Sequence, residues 1–521
     1  MQTSKEDIQL VQSPLILPNG RIVPNRLVKV AMEEGIAVKH GRPGRNHREL
    51  YAAWARGGWG IIVTGNVQVD PRHLATPHDL FVPDSSPATI ASYALLNHAI
   101  ISSASPPPCR SGAGSPTTTT PLEPLTLVQL SHPGLQSSAV VCMARAPWSP
   151  AVAPCTSRPD LGTSWMGRAL GYLFWPMASR RLSVDQWLDV VQRFVGSAKV
   201  MEEAGWGGVQ IHAAHGYLLA EYLSALTNPH PEPLPGAPAN LPLRLHLLHL
   251  ILHGIHKRKG RSFTLAVKIN CSDFVQGGLD EEQAAEIVKT IVSWGIVDIL
   301  EVSGGTYATP AFATGEKHRP VNGQITRQSL FSHFTSALLP QLPSPPAGPA
   351  IILTGGMHDR PLIASSLRNR ACDLAGIGRP ACLDPSLPNR VIFNPAVRDD
   401  DTALPCGEEI RGSAFFKWVF GGGKGSGSKV EKGREDPADP YETAPAIPAP
   451  SNMPSGGIPL VGASISILWH EMQLSRIGRG VEPNPEMNWL IGLFVEFFWW
   501  GLFGGGPAGW FVSRANVGRS V

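Results

Sequence analysis

Short aliphatic runs alternate along the chain with longer stretches in which apolar residues recur every three or four positions. The short runs have the length and β-branched content of strands, and the longer ones the periodicity of helices with one buried face. Eight strand-like runs are found, at residues 27–31, 60–64, 125–130, 207–212, 265–270, 299–302, 350–354 and 374–377. Helical patterns fall between them, such as 183–204, with Ser183 as N-cap, and 280–294, opened by acidic residues. Such alternation implies a parallel sheet, because parallel neighbours need a long crossover between them. Eight units predict an α/β fold of the closed (β/α)8 TIM-barrel type. The alternative, an open doubly wound sheet, lacks a G-x-G-x-x-G after its first strand. Residues 15–23, turning at Pro18-Asn19-Gly20, predict a hairpin placed to plug the bottom of the barrel.

Two segments break the alternation. Residues 102–124 (SSASPPPCRSGAGSPTTTTPLEP) stand where a helix should lead into the third strand, and their proline and Ser/Thr content supports none. Residues 229–242 (PHPEPLPGAPANLP) form a second proline-dense break. In the helical pattern that follows, His246, His249, His253 and His256 recur among leucines and are expected to form a solvated polar stripe, with a metal site as the alternative. The layout expected is a barrel over 1–395, a flexible linker over 396–459 and a C-terminal extension over 460–521. Within the extension, 489–512 is apolar and aromatic, opening with WLIGLFVEFFWWGLF. It is broken by Gly and Pro before it reaches the roughly 20 residues of a spanning helix, so a membrane-surface contact or packing onto protein is expected.

Composition narrows the function. A hydrophobic content of 43% against 16% charged residues allows a large core, and a net charge of only +3 offers no electrostatic case for nucleic acid. The 7 cysteines include no C-x-x-C pair, which argues against a zinc ribbon or a disulfide framework. The polar N-terminus, MQTSKEDIQLVQSP, lacks the apolar core of a secretory signal, so a cytoplasmic setting is expected, with the tail as the one point of membrane association.

The chemistry concentrates in residues 204–228, AGWGGVQIHAAHGYLLAEYLSALTN. An apolar run ends at His212, with His215 and Tyr217 following within a turn. At the C-terminal end of a barrel strand such residues face the active site. Two imidazoles and a phenol can supply hydrogen-bond donors and a proton, and they can equally be a buried core pair or metal ligands. A metal hydrolase would need further His and Asp ligands at other strand ends, and none is evident, so no metal is expected.

H-x-x-H-x-Y after G-V-x-I resembles the signature of the Old Yellow Enzyme family of flavin oxidoreductases. Other stretches match that family in order over about residues 14–395. PNGRIVPNRLVKVAMEEGIA (18–37) resembles its first strand, and the resemblance implies flavin contacts at Ala31 and Met32. YAAWARGGWGIIVTGNVQVD (51–70) implies one at Gly65. VQLSHPGLQS (128–137) implies a hydrogen bond from Gln129 to the ring's pyrimidine edge. LAVKINCSDFVQGGLD (265–280) implies that Lys268 is a cation beside the ring, and EVSGGTY (301–307) adds Ser303. In IILTGGMHD (351–359) and LAGIGRPACLDP (374–385), Gly355, Gly356, Gly378 and Arg379 would hold the phosphate, as loops after strands seven and eight do in such barrels. Residues 461–483 resemble the C-terminal extension of some fungal-type members. The chain departs from the pattern at Leu135, where the family has Arg, and in both proline-dense segments.

The resemblance implies FMN as cofactor and NADPH or NADH as reductant. It also implies a small electrophilic substrate, such as an enone, gripped by His212 and His215 and protonated by Tyr217. A catalytically impaired, membrane-associated barrel is the non-enzyme alternative. Oligomeric state is left open.

Overall fold

The computed structural model describes residues 2–38, 41–104, 123–142, 144–146, 148–159, 165–304, 327–405 and 459–485. A helix, Gln2–Val11, leads into the hairpin β1 (Leu15–Ile16) and β2 (Ile22–Val23), whose strands pair antiparallel. Then come β3 (Leu27–Lys29), β4 (Ile61–Gln68), the short edge strand β5 (Leu80–Phe81) and β6 (Leu125–Ser131). The pair β7 (Val152–Ala153) and β8 (Arg180–Arg181) makes a small separate sheet. The main sheet continues with β9 (Gly208–Ala213), β10 (Thr264–Asn270), β11 (Ile299–Ser303), β12 (Ala350–Thr354) and β13 (Leu374–Ile377). Eight strands pair in parallel in the order β3-β13-β12-β11-β10-β9-β6-β4, and β3 also pairs with β4, which closes the barrel.

Side chains alternate across each strand, and the two faces meet different neighbours. Val28, Ile61, Leu125, Ile299, Ala350 and Leu374 turn inward and form one cluster with Leu15, Leu17 and Val23 of the hairpin region. The hairpin is therefore the plug that the sequence predicts. Outward residues such as Leu27, Val128, Val209 and Val267 pack under the helices in a second cluster. Two residues further along the inward face the interior turns polar. Leu127 gives way to Gln129, Ala266 to Lys268, Ile299 to Glu301 and Ile352 to Thr354. The lower barrel is an apolar core and the upper barrel is a polar floor.

The helix Val184–Glu203 begins at a Ser183–Gln186 capping box, and Glu281–Ser293 at Asp280, whose side chain accepts from the Gln283 N–H. Differences from the sequence reading have local causes. β4 runs past residue 64 to Gln68, because a register shift between Val63 and Asn66 absorbs Gly65 within the strand. His246 does not lie on a solvated stripe. It is buried, takes the Leu234 N–H on Nδ1 (3.1 Å) and places Nε2 3.1 Å from Leu241 O, so it staples the proline-dense break to the helix His246–His256. His249 and His253 stack at 3.8 Å beside Trp294.

A buried arginine ties the helix after β12 to the segment that follows β13. Arg360, fully buried, donates from Nε to Ile392 O, from Nη2 to Val391 O and Asn394 O, and from Nη1 to Val397 O and the Asp399 carboxylate. The helix Pro459–Gly478 packs against Arg45–Arg56 and Arg379–Leu383. It brings Glu471 to the rim, where a Cβ on Gly35 (φ +62°) would fall 2.8 Å from Glu471 Oε2. Most of the expected linker (406–458) and the whole apolar tail (489–512) lie outside the described residues, as do residues 105–122 of the first proline-rich segment. Among the described residues, no helix is long and apolar enough to cross a membrane.

Candidate active site

The C-terminal ends of β9, β10 and β11 bring the signature residues together. His212 is the penultimate residue of β9, and the chain then turns through His215 (φ +61°) and Gly216 (φ +70°) into the short helix Leu218–Leu223. A left-handed conformation is costly for a non-glycine residue and persists only where its surroundings impose it. Here the His215 N–H donates to Asn270 Oδ1 (3.0 Å), its Nε2 lies 2.8 Å from Ser303 Oγ, and Asn270 in turn donates to Asp273 (3.0 Å). The His212 ring stands edge-on to the rings of His215 (5.2 Å) and Tyr217 (4.8 Å). Asn66 Nδ2 donates to Tyr217 Oη at 3.3 Å. Burial, and then the nearby Lys268 charge, depress the His212 pKa well below the usual range, so the ring is neutral. Its Nδ1 is buried with no hydrogen-bond partner.

Below these residues lies the polar floor. Lys268 is where the sequence puts it, on β10, but it is not an uncompensated cation. Its Nζ lies 2.9 Å from Oε1 of Glu301, its register partner on β11. Thr354 Oγ1 donates to the same oxygen (2.9 Å), Gln210 Nε2 to Oε2 (2.8 Å), and Gln129 Nε2 to Gln210 Oε1 (2.6 Å).

The remaining predicted residues meet the same rim. Gly355 (φ +112°) and Gly356 (φ +73°) follow β12, and their positive φ explains the glycine pair. Gly378 follows β13 and caps the helix Arg379–Leu383, so Arg379 is that helix's first residue. A Cβ on Gly378 would lie 3.0 Å from Met32 Sδ, and one on Gly65 would lie 2.4 Å from Met32 O, so the segment after β3, Ala31 to Glu34, runs between these glycines. The Gly65 N–H donates to Glu34 Oε1 (2.8 Å), which the Tyr51 hydroxyl also engages. Sequence reasoning missed Asn66, Gln210, Asn270, Glu301 and Glu34. The usable signal was parity, since Gln210 and Glu301 sit two residues before His212 and Ser303 on the same inward faces.

Glu221, on the helix after Tyr217, is buried and its carboxyl is held well above the usual range by desolvation. One oxygen accepts the Leu135 N–H (2.9 Å) and the other has no partner. A carboxyl with a raised folded pKa gives stability that is complete below its ordinary value near 4.5 and lost as pH rises through the folded value. Glu221→Gln removes that loss. The variant is expected to be about 1–3 kcal/mol more stable than the parent on the alkaline side, with the difference vanishing toward the acid side. Thermal melts across pH check this, and a pH-independent offset would contradict it.

Among the described residues one ligand-type trio converges, Asp70, His73 and His132, with atoms within 4.8 Å of one another. Asp70 is already bound by Arg72 (2.6 Å), with Arg193 at 3.6 Å. Burial lowers His132 to about 4, and its Nδ1 accepts the Gly134 N–H (3.1 Å). Two arginines and a committed imidazole leave a poor seat for a dication.

Comparison with known proteins agrees with this geometry. Residues 168–394 match the model of the NADH:flavin oxidoreductase / NADH oxidase family. The chain is 32% identical over 394 residues to the NADH-dependent flavin oxidoreductase iliE of Hypocrea jecorina, covering 75% of this chain and 91% of that protein. It is 30% identical to the NADH-dependent flavin oxidoreductase iccE of Talaromyces variabilis, covering 76% and 90%. In fold it is similar to the Old Yellow Enzyme homologue of Zymomonas mobilis, with a TM-score of 0.55 at 20% identity, over 75% of this chain and 94% of the other. A (β/α)8 barrel with this rim and these relatives belongs to the NADH:flavin oxidoreductase / NADH oxidase family, whose members are flavin-dependent oxidoreductases.

Proposed function

We propose that this FMN-dependent, NAD(P)H-consuming oxidoreductase reduces an electron-poor double bond conjugated to a carbonyl or nitro group. The observation that carries the reading is the convergence of neutral His212 with His215 and Tyr217 on the rim that also holds Gly355, Gly356 and Gly378.

The rim fits a flavin. Gln129 and Lys268 offer hydrogen-bonding groups to the polar edge of the ring, and Ala31, Met32 and Gly65 supply close-approaching backbone. Gly355 and Gly356 hold positive-φ turns whose N–H groups can face an anion, beside Gly378 and Arg379. A flavin held there would supply the redox chemistry, a hydride relay from the reduced nicotinamide to the substrate.

The rest falls to this chain. A neutral His212 keeps an N–H to donate to a substrate oxygen, and its buried, unpartnered Nδ1 would gain the bond it lacks. His215, braced by Asn270 and with Ser303 at its Nε2, supplies the second contact to that oxygen. Donation to the oxygen draws electron density from the double bond and makes its far carbon electrophilic. Asn66 donates to Tyr217 Oη, so that bond does not use the phenol's own proton, which would go to the carbon next to the carbonyl. Ser303 therefore acts here as a support for His215 more than as a flavin contact.

The purified protein is expected to be yellow and to bleach under anaerobic conditions on addition of NADH or NADPH. A small enone should then restore the colour. A folded, colourless protein that cannot be reconstituted with FMN would overturn the reading, and bleaching without recovery by any enone or nitroalkene would overturn its substrate class.

A further inference from the structure

The polar floor converges on one side chain. Glu301 is fully buried, and each of its oxygens is taken. Oε1 meets Lys268 Nζ and Thr354 Oγ1, both at 2.9 Å, and Oε2 meets Gln210 Nε2 at 2.8 Å. Its contacts reach from β11 to β9, β10 and β12, and through Gln210 to Gln129 on β6, so five of the eight barrel strands are tied to one carboxylate.

Two consequences follow from the chemistry of that group. An ionised carboxylate can only accept hydrogen bonds. Gln210 must therefore turn its NH2 to Glu301 and its carbonyl oxygen to Gln129. Gln129 must then spend an N–H on Gln210, which leaves its own carbonyl oxygen turned away from the network. The amide orientations of both glutamines, which sequence cannot specify, are set by a charge two strands from Gln210 and three from Gln129. The second consequence is electrostatic. A buried ammonium with no counterion would raise the electron affinity of a neighbouring ring, whereas one paired at 2.9 Å presents a near-neutral dipole.

We propose that Glu301 is a positioning residue of the flavin site, which fixes the polarity of Gln129 and cancels the charge of Lys268. The site thereby holds its flavin at a lower reduction potential than Lys268 alone would. This rests on the reading above that Gln129 and Lys268 edge the ring.

The test is the potential and affinity of FMN in Glu301→Gln, read by anaerobic redox titration and by fluorescence-quenching titration of FMN into apoprotein. Gln is isosteric, but it keeps one acceptor oxygen where the network needs two, so its NH2 meets a donor at Gln210 or at Lys268, and it unmasks the Lys268 charge. A tenfold or greater shift of the bound couple toward reduced flavin is expected, about 30 mV upward for two electrons, together with weaker binding of oxidised FMN. Lys268→Met should move the potential the other way. Should Glu301→Gln fail to fold, the Lys268→Met/Glu301→Gln double variant leaves neither charge and carries the test, with a parent-like potential but weakened FMN binding expected. FMN bound by the variants with parental potential and affinity overturns the role of Glu301. Failure of the parent itself to bind FMN overturns the flavin reading, and this inference with it.

Discussion

Tyr217→Phe is expected to slow enone reduction about 100- to 10,000-fold, the usual contribution of a positioned general acid, while leaving bleaching by NADH within about twofold. The separation follows from what the substitution removes. The Tyr217 ring is buried and stands edge-on to His212 at 4.8 Å, and phenylalanine keeps that contact. Only the hydroxyl is lost, with the Asn66 bond to it. Hydride transfer into the flavin involves no proton from this phenol, whereas saturation of a carbon–carbon bond needs one delivered to the neighbouring carbon. Stopped-flow measurement of the two half-reactions decides the matter. Equal slowing of both would mean that Tyr217 shapes the pocket instead of supplying a proton.

The second large effect concerns stability. Arg360→Met is expected to cost about 3–5 kcal/mol, the range for breaking a buried charged network. The guanidinium satisfies the carbonyls of Val391, Ile392, Asn394 and Val397 and the carboxylate of Asp399. Methionine fills much of the same volume but satisfies none of them, and each buried carbonyl left without a donor is destabilising. The segment 391–402 should loosen first, because four of its carbonyls and the Asp399 carboxylate meet on this one guanidinium, so limited proteolysis there should precede global unfolding. A urea midpoint within experimental scatter of the parent would show that water replaces the arginine at little cost.

The barrel was largely legible in the sequence because its strands repeat with period two and its helices with three to four, and those periods survive folding. Gly65 looked like a strand end, and only pairing with β6 shows it inside a bulge. Lys268 could be assigned to β10 from its own run, but its partnership with Glu301 depends on the β10–β11 register, which couples residues 33 positions apart. His246 read as solvated because helical periodicity does not say which loop folds back over a face. Here it is the proline-dense break, held through Leu234 and Leu241. Arg360 carried no signal at all, since its partners are main-chain carbonyls that any sequence possesses. Backbone-mediated contacts and cross-strand register are set by the assembled fold, and they account for most of what was missed.

The close approach of Gly35 and Glu471 joins residues far apart along the chain. With chain growth at about 5–20 residues per second, tens of seconds separate their emergence from the ribosome. During that interval the barrel can close and its inner layers can pack, yet the rim beside residues 33–35 stands without its outer wall. Desolvation, and then the nearby Asp79 and Glu471 carboxyls, hold the Glu33 carboxyl well above the usual range, so this acidic cluster is complete only once residue 471 arrives. A nascent chain therefore lacks the wall that Glu471 provides beside Gly35 until the helix Pro459–Gly478 has been made and has packed.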